Sequence, residues 1–422
     1  MSKLIWKQLV FHRQEFNLEN TLVNGQCFNW KKLGEDHFEG VFSEYYVQVK
    51  RTHDDYIEYC TIPDHTIKTQ QIQPQDAEKK TKKISKIEEE KKVRSQPEEE
   101  EKTSHKTQDK FLDQFKAYIN YDIKVLDLYD HWAKRDKRFS QIAEPIHGVR
   151  CLRQDPWECT VSFICSQCNN IKRITQMLDT LRQKVSKNIF VLMNKLILQY
   201  GTKICEIDQD DGSKKSIYKF PTIEQMSQVS EKELRDLKFG YRAKYLVANA
   251  KMMNEKGGKQ WLESLRGKSN EEVREQLITL NGIGNKVADC IALFSLDCAN
   301  SIPVDTHVFQ IAQKLGYVQG MKKDANLNQK LYMQIVEAFR DRFGDKAGWA
   351  HQIMFAGDLK SFQEKINNSK KRKLDEISDQ NAQKNEQNKS EKIKVDAGDD
   401  AIVENNEKQL KQEKTKRVRR NK

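Results

Sequence analysis

Leu280-Asn281-Gly282-Ile283-Gly284-Asn285-Lys286-Val287-Ala288-Asp289-Cys290, followed by Ile302-Pro303-Val304-Asp305-Thr306-His307, carries more structural information than any other part of the chain. The run 273–280 is amphipathic and stops at Asn281-Gly282, and 287–294 is again helical in pattern. The spacing predicts helix, tight Gly-x-Gly turn, helix: a helix–hairpin–helix over 273–294. Glycine enters left-handed backbone angles freely, so Gly282 and Gly284 permit both the turn and the close approach of a phosphate. The first-turn amides of the second helix, that of Val287 included, then face outward and can hold an anion without reading sequence.

Lys286 falls in that first turn, and Asp305 comes nineteen residues later at the head of another helical run, 306–315. The helix dipole and burial both disfavour a cation at Lys286. A free lysine, with a pKa near 10.4, is a poor nucleophile at neutral pH; a value of roughly 7–8 makes the amine able to attack carbon. Spacing alone leaves two readings of Lys286 open, nucleophile and phosphate contact. Asp305 has a bland role as an N-cap, stabilising by about 1 kcal/mol. Its sharper role is a carboxylate beside Lys286 that stabilises positive charge on a sugar. The two are compatible, because a capping bond fixes the orientation of the carboxylate.

The bulk composition agrees with a polyanionic partner. The 422 residues allow two or three domains, and the net charge of +12 with a pI of about 9.0 suggests nucleic acid first and an acidic membrane surface second. Only 37% of the chain is hydrophobic and 32% is charged, too polar for one core of this length, so part of it is expected to be unfolded. With no run of about 18 apolar residues, no transmembrane helix is expected, and residues 1–10 carry no secretory signal pattern. The nine cysteines, an odd number scattered from Cys27 to Cys298, fit a reducing compartment better than a disulfide framework. Cys165-x-x-Cys168 lies in an apolar helical run and has no second such pair, so it reads as helix packing rather than zinc ligation.

Residues 1–70 read as strands, with Tyr45-Tyr46-Val47-Gln48-Val49 and Tyr56-Ile57-Glu58-Tyr59-Cys60 as the clearest, which predicts a small antiparallel sheet. Residues 73–108 alternate blocks of lysine and glutamate almost without apolar residues, a disordered charged insertion. From 111 to 362 the pattern is helical, with little sign of sheet, and Pro156, Pro221 and Pro303 stand near helix starts. Residues 363–422 read as a disordered basic tail. Its clusters Lys370-Lys371-Arg372-Lys373 and Lys416-Arg417-Val418-Arg419-Arg420 fit nuclear import or extra phosphate contacts. The class is α+β, divided as 1–150, 151–362 and 363–422.

The chain resembles the eukaryotic 8-oxoguanine DNA glycosylase/AP lyases of the helix–hairpin–helix glycosylase superfamily. The resemblance runs from about residue 4 to 362, skipping the insertion. It rests on the hairpin, Pro303-Val304-Asp305-Thr306-His307, Gly25-Gln26-Cys27-Phe28-Asn29-Trp30, Cys151-Leu152-Arg153-Gln154-Asp155-Pro156, Ser162-Phe163-Ile164-Cys165-Ser166, Asn169-Asn170-Ile171-Lys172-Arg173, Gly240-Tyr241-Arg242-Ala243 and Ala347-Gly348-Trp349-Ala350. It implies a small N-terminal antiparallel β-sheet domain packed on a two-lobed all-α core.

The resemblance also implies a mechanism: base flipping, attack of Lys286 on the anomeric carbon, a Schiff base and β-elimination, with Asp305 stabilising the oxocarbenium charge. No metal or cofactor is implied. The Gly25 carbonyl is expected to accept a hydrogen bond from N7–H of 8-oxoguanine, and an unmade bond there costs about 1–3 kcal/mol. Cys290 and Phe355 are expected to sandwich the base. Tyr241 and Arg242 resemble a duplex wedge beside the orphaned cytosine; Asn169, Asn170 and Arg173 lie in the gap-filling segment; His307 resembles a phosphate contact. Three positions depart from the family pattern: His351 for glutamine at the Watson–Crick edge, Cys168 for the first of three asparagines, and Phe294 for a pocket methionine. Asn281 stands where the family has proline. The implied partner is damaged duplex DNA with 8-oxoguanine opposite cytosine, bound by a monomer in the nucleus, with the mitochondrion as a second destination and other base excision repair proteins as further partners.

Two other functions compete. An endonuclease III-like enzyme shares the lysine and aspartate but carries four clustered cysteines after the aspartate, and here none occurs beyond Cys298. A non-catalytic DNA-binding or lesion-sensing protein needs only the hairpin, and the presence of both Lys286 and Asp305 argues against it.

Overall fold

Alternating side chains build the N-terminal sheet. The computed structural model describes residues 5–62, 110–185, 203–208, 212–320, 326–360, 362–372 and 375. Its strands β1 (Lys7–Val10), β2 (Trp30–Gly34), β3 (His37–Phe42), β4 (Tyr45–Lys50) and β5 (Tyr56–Ile62) pair antiparallel in the order β1-β5-β4-β3-β2. Successive residues of a strand point to opposite faces. Tyr45, Val47 and Val49 of β4 therefore join Phe38, Ile57 and Tyr59 in one core, closed by Phe111, Phe115 and Tyr118 of the helix that begins at 110. The Trp30 indole donates to the Tyr118 hydroxyl at 3.0 Å within it.

Tyr46 faces the other side, where a second antiparallel pair covers it: β6 (Lys203–Asp208) and β7 (Lys214–Tyr218), through Ile204, Cys205 and Ile217. The expectation of little sheet beyond 111 is corrected here. Strands of six and five residues bury too few side chains to leave a clear period. What holds this pair is tertiary: Glu39 on β3 accepts from Lys215 at 2.7 Å and from the Tyr46 hydroxyl at 2.7 Å.

The expected division at 150 falls on a fully buried arginine. The Arg150 guanidinium donates to the carbonyls of Glu15 (2.8 Å), Ile119 (2.8 Å), Ile123 (2.6 Å) and Asn120, which ties the N-terminal sheet region to the start of the helical core. Met1–Leu359 accordingly form one compact unit. Beyond Arg150, Asp155 caps helix Pro156–Cys165 by accepting from the Trp157 and Glu158 amides, with Pro156 at its first position. That helix packs on Asn285–Ser295, the second helix of the hairpin, which is buried from Val287 to Ser295. Thr306–Lys314 and Ala347–Asp358 supply the remaining helices of the site.

Residues from Lys360 on form a separate unit, in which 362–372 are helical. This corrects the disordered tail over that stretch: Phe362 and Ile366, one turn apart, are both buried, and lysine, glutamine and glutamate between them favour helix. The insertion 73–108 and the cluster 416–420 lie outside the described residues. Among the described residues no helix is long and apolar enough to cross a membrane.

Candidate active site

The hairpin is held from both sides. Helix Asn270–Ile278 opens on a capping box between Ser269 and Glu272. Gly282 has φ +73°, and a Cβ there would lie 2.5 Å from the Tyr245 ring, so both backbone and space demand glycine. Asn249, fully buried on helix Arg242–Glu255, donates to the Asn281 carbonyl at 2.9 Å and accepts from the Asn281 amide at 2.7 Å. On the opposite side, the Gln167 side-chain amide donates to the Gly282 carbonyl at 2.6 Å. Gly284 caps Asn285–Ser295 without a side-chain bond, which leaves the first-turn amides to an incoming anion. Val287 can contribute only its amide, because its side chain is buried. Asn249→Ala removes these two bonds and a longer one from the Asn281 side-chain amide at 3.3 Å, and a loss of about 2 kcal/mol in denaturant unfolding is expected, with weaker binding of undamaged duplex.

Lys286 and Asp305 come within electrostatic reach of each other and of both Cys290 and His351. The Lys286 ammonium lies 5.6 Å from the Phe163 ring centre, and Phe163 stacks on Phe294 at 5.5 Å. Asp305 accepts from the His307 and Val308 amides at 2.9 Å each, the capping role expected of it. The pKa of Lys286 is raised, first by negative charge on Cys290, against burial, with Asp305 adding to the rise. The helix terminus and burial were expected to lower it; burial does so but is outweighed. Burial pushes the Cys290 thiol up to about 11. At neutral pH that thiol keeps its proton, so burial and Asp305 are what act on the amine there.

Cys290, Phe294 and His351 are all buried, while Gly25 and Phe355 are half-buried. A flipped base that reaches the inner three must displace what covers them. Gly25 has φ +87°, and a Cβ on it would lie 3.3 Å from Ile171 and 3.9 Å from Phe355, so a side chain would crowd this wall. His307 is exposed, with its ring 6.3 Å from that of Phe355.

Among the described residues no hydrogen bond of normal geometry reaches either ring nitrogen of His351, although the nearby Pro303 carbonyl favours a proton on the ring. Burial pushes its pKa down to about 4, with Lys286 also lowering it and Asp305 opposing. Between the ordinary value of 6.5 and about 4 the unfolded chain binds a proton that the folded chain refuses. Stability should therefore fall as pH drops through that window, by roughly 2–3 kcal/mol from this group. His351→Gln should flatten that part of the stability curve; identical curves for the two proteins would contradict the assignment.

The remaining candidates line an outer face. Cys168 is exposed with φ +47°, and Tyr241 is exposed. The Asn169 amide is turned back to the Cys165 carbonyl at 2.9 Å, and Asn170 caps helix Ile171–Thr180. Arg173 is exposed, and its backbone amide donates to the Asn170 side chain at 3.0 Å. Arg242, expected at the DNA surface, is buried in the free protein with its guanidinium on the Gln167 carbonyl.

Sequence reasoning missed Gln167, Asn249 and a buried network around Asp289. Arg274 donates to Asp289 Oδ1 at 2.9 and 3.0 Å, the Tyr332 hydroxyl donates to Oδ2, and the Val304 amide donates to Tyr332 at 3.3 Å. One chain of contacts thus joins the helix of Lys286 to the segment that delivers Asp305. The available signal was a lone acid inside the apolar run 287–294.

Residues 8–160 match the family model described as 8-oxoguanine DNA glycosylase, N-terminal domain, and 161–337 the HhH-GPD superfamily base excision DNA repair protein. The chain is 33% identical over 386 residues to the N-glycosylase/DNA lyase OGG1 of Arabidopsis thaliana, covering 89% of this chain and 87% of that one. It is 32% identical over 324 residues to the N-glycosylase/DNA lyase of Saccharomyces cerevisiae, covering 70% and 79%. The apo-form of the Clostridium acetobutylicum 8-oxoguanine glycosylase/lyase shares the fold with a TM-score of 0.58 at 23% identity, over 84% of this chain and 98% of that one.

Proposed function

The chain belongs to the N-glycosylase/DNA lyase family of base excision repair, and we propose that it excises 8-oxoguanine from duplex DNA with Lys286 as nucleophile and Asp305 as the stabilising carboxylate. The observation that carries this reading is the joint position of the two residues: Lys286 heads the hairpin's second helix, within electrostatic reach of an Asp305 whose orientation two capping bonds fix. Phosphates on the bare amides of that helix would bring a sugar to the amine.

In the proposed reaction the unprotonated Lys286 amine attacks C1′ and the C1′–N9 bond breaks. The electron pair leaves with the base, which takes up a proton. Asp305 stabilises positive charge on the sugar as that bond lengthens. Ring opening gives an imine between Lys286 and C1′. Loss of a proton from C2′ then expels the 3′ phosphate by β-elimination and nicks the strand. Gly25, Cys290, Phe294, His351 and Phe355 hold the base; Tyr241, Arg242, Cys168, Asn169, Asn170, Arg173, His307 and the hairpin hold the duplex. Neutral His351 offers one donor and one acceptor to the base edge.

The test is single-turnover excision from a duplex with 8-oxoguanine opposite C, with borohydride to trap the imine. Base release with a covalent adduct is expected. Tight binding with neither product would leave the chain a lesion sensor.

The basic clusters Lys370–Lys373 and Lys416–Arg420 support nuclear delivery. A tagged protein lacking 366–422 is expected to lose nuclear accumulation, and continued concentration in the nucleus would refute this.

A further inference from the structure

We propose that Gln167 is a positioning residue that couples the outer DNA-facing loops to the hairpin carrying Lys286; this rests on the functional reading above. Two elements distant from it in sequence meet on this residue. Its side-chain amide donates to the Gly282 carbonyl at 2.6 Å. Its backbone carbonyl accepts from the Tyr241 hydroxyl at 3.3 Å and from the Arg242 guanidinium. Cys168, left-handed at φ +47°, sets the orientation of the peptide that carries this carbonyl. That conformation costs a non-glycine residue on the order of 1 kcal/mol, and the Asn169–Cys165 bond keeps the turn closed.

Gln167 also borders the shallow pocket formed by Gly282, Gly284, Lys286 and Val287. Whatever the 168–173 loop and the Tyr241–Arg242 pair meet on the opposite strand is therefore one side chain away from the hairpin turn. Asn249 grips Asn281 independently, so the turn stays folded without Gln167. What is lost is its registration against the loops. The effect belongs on the chemical step, and it depends on the base opposite the lesion.

Single-turnover excision is measured on duplexes with 8-oxoguanine opposite C and opposite A, for wild type, Gln167→Ala and Gln167→Lys. Melting temperature and affinity for a duplex with an abasic-site analogue are measured alongside. In Gln167→Ala the rate opposite C should fall about tenfold and that opposite A less than about twofold, as for one hydrogen bond lost in the transition state. The melting temperature should move by less than about 2 °C. Gln167→Lys returns a donor to the Gly282 carbonyl and should recover the C-over-A ratio. Equal losses on both duplexes, an unchanged ratio, or a wild type with no C-over-A preference overturns the proposal. A wild type that releases 8-oxoguanine from neither duplex overturns the functional reading beneath it as well.

Discussion

Lys286→Gln is expected to lower base release on the order of 10⁴-fold and to abolish the borohydride-trapped adduct, while lesion binding stays within a few-fold of wild type. Glutamine keeps the length and most of the packing of lysine but has no basic lone pair. The fold loses a distant cation–π contact with Phe163 at 5.6 Å, a contribution of under about 1 kcal/mol, while an amide in place of the ammonium can still meet the Cys290 thiol, so the variant should melt near wild type. The chemistry makes a second demand. Only the free amine attacks carbon, and the negative charge on Asp305 favours the ammonium. Below the pKa of Lys286 the wild-type rate should therefore rise about tenfold per pH unit. A flat profile from about pH 6 to 9 would mean that the bound base, by excluding water, has already stripped the amine of its proton. Wild-type excision by Lys286→Gln would remove Lys286 from the mechanism altogether.

The features legible in the sequence were those carried by a few neighbouring residues. Gly282, Gly284, Lys286 and Asp305 belong to turn and cap patterns set within one or two helical turns. The alternation of Tyr45 to Val49 needs no partner to be read, and Pro156 after Asp155 marks a helix start on its own. The rest is set by contacts between distant segments. β6 and β7 exist because Tyr46 and Glu39 give them a surface to cover. Gln167 and Asn249 look like any exposed amide until the fold lays the hairpin against them. Arg242 shows the limit from the other side: a basic residue beside an exposed tyrosine gives no hint that in the free protein its guanidinium turns inward to a carbonyl. Lys286 shows the same limit in electrostatics. The helix terminus is visible in sequence, but the charge of Asp305 that opposes it depends on where the chain folds back.

Asp289→Ala should destabilise the protein by roughly 3–5 kcal/mol in urea unfolding, the usual consequence of leaving one member of a buried ion pair uncompensated. Asp289 is fully buried and the Arg274 side chain nearly so, and the guanidinium gives two hydrogen bonds to a single carboxylate oxygen. Without the carboxylate Arg274 retains its desolvation penalty, and its remaining hydrogen bond among the described residues is a weak sulfur contact with Met333 at 3.8 Å. Replacing both members, as in Arg274→Met with Asp289→Leu, removes the charges together and should recover most of the stability. A double variant as unstable as the single one would assign the loss to packing instead. Activity should part company with stability in that double variant. The Tyr332 hydroxyl loses its carboxylate acceptor and keeps the Ile302 carbonyl at 3.3 Å, so its hold on the Val304 amide, one residue before Asp305, slackens. Since a displacement of about 1 Å can lower a rate 10²-fold, a well-folded double variant with slow excision is the expected result. That outcome would identify the buried ion pair as the device that sets Asp305 against Lys286.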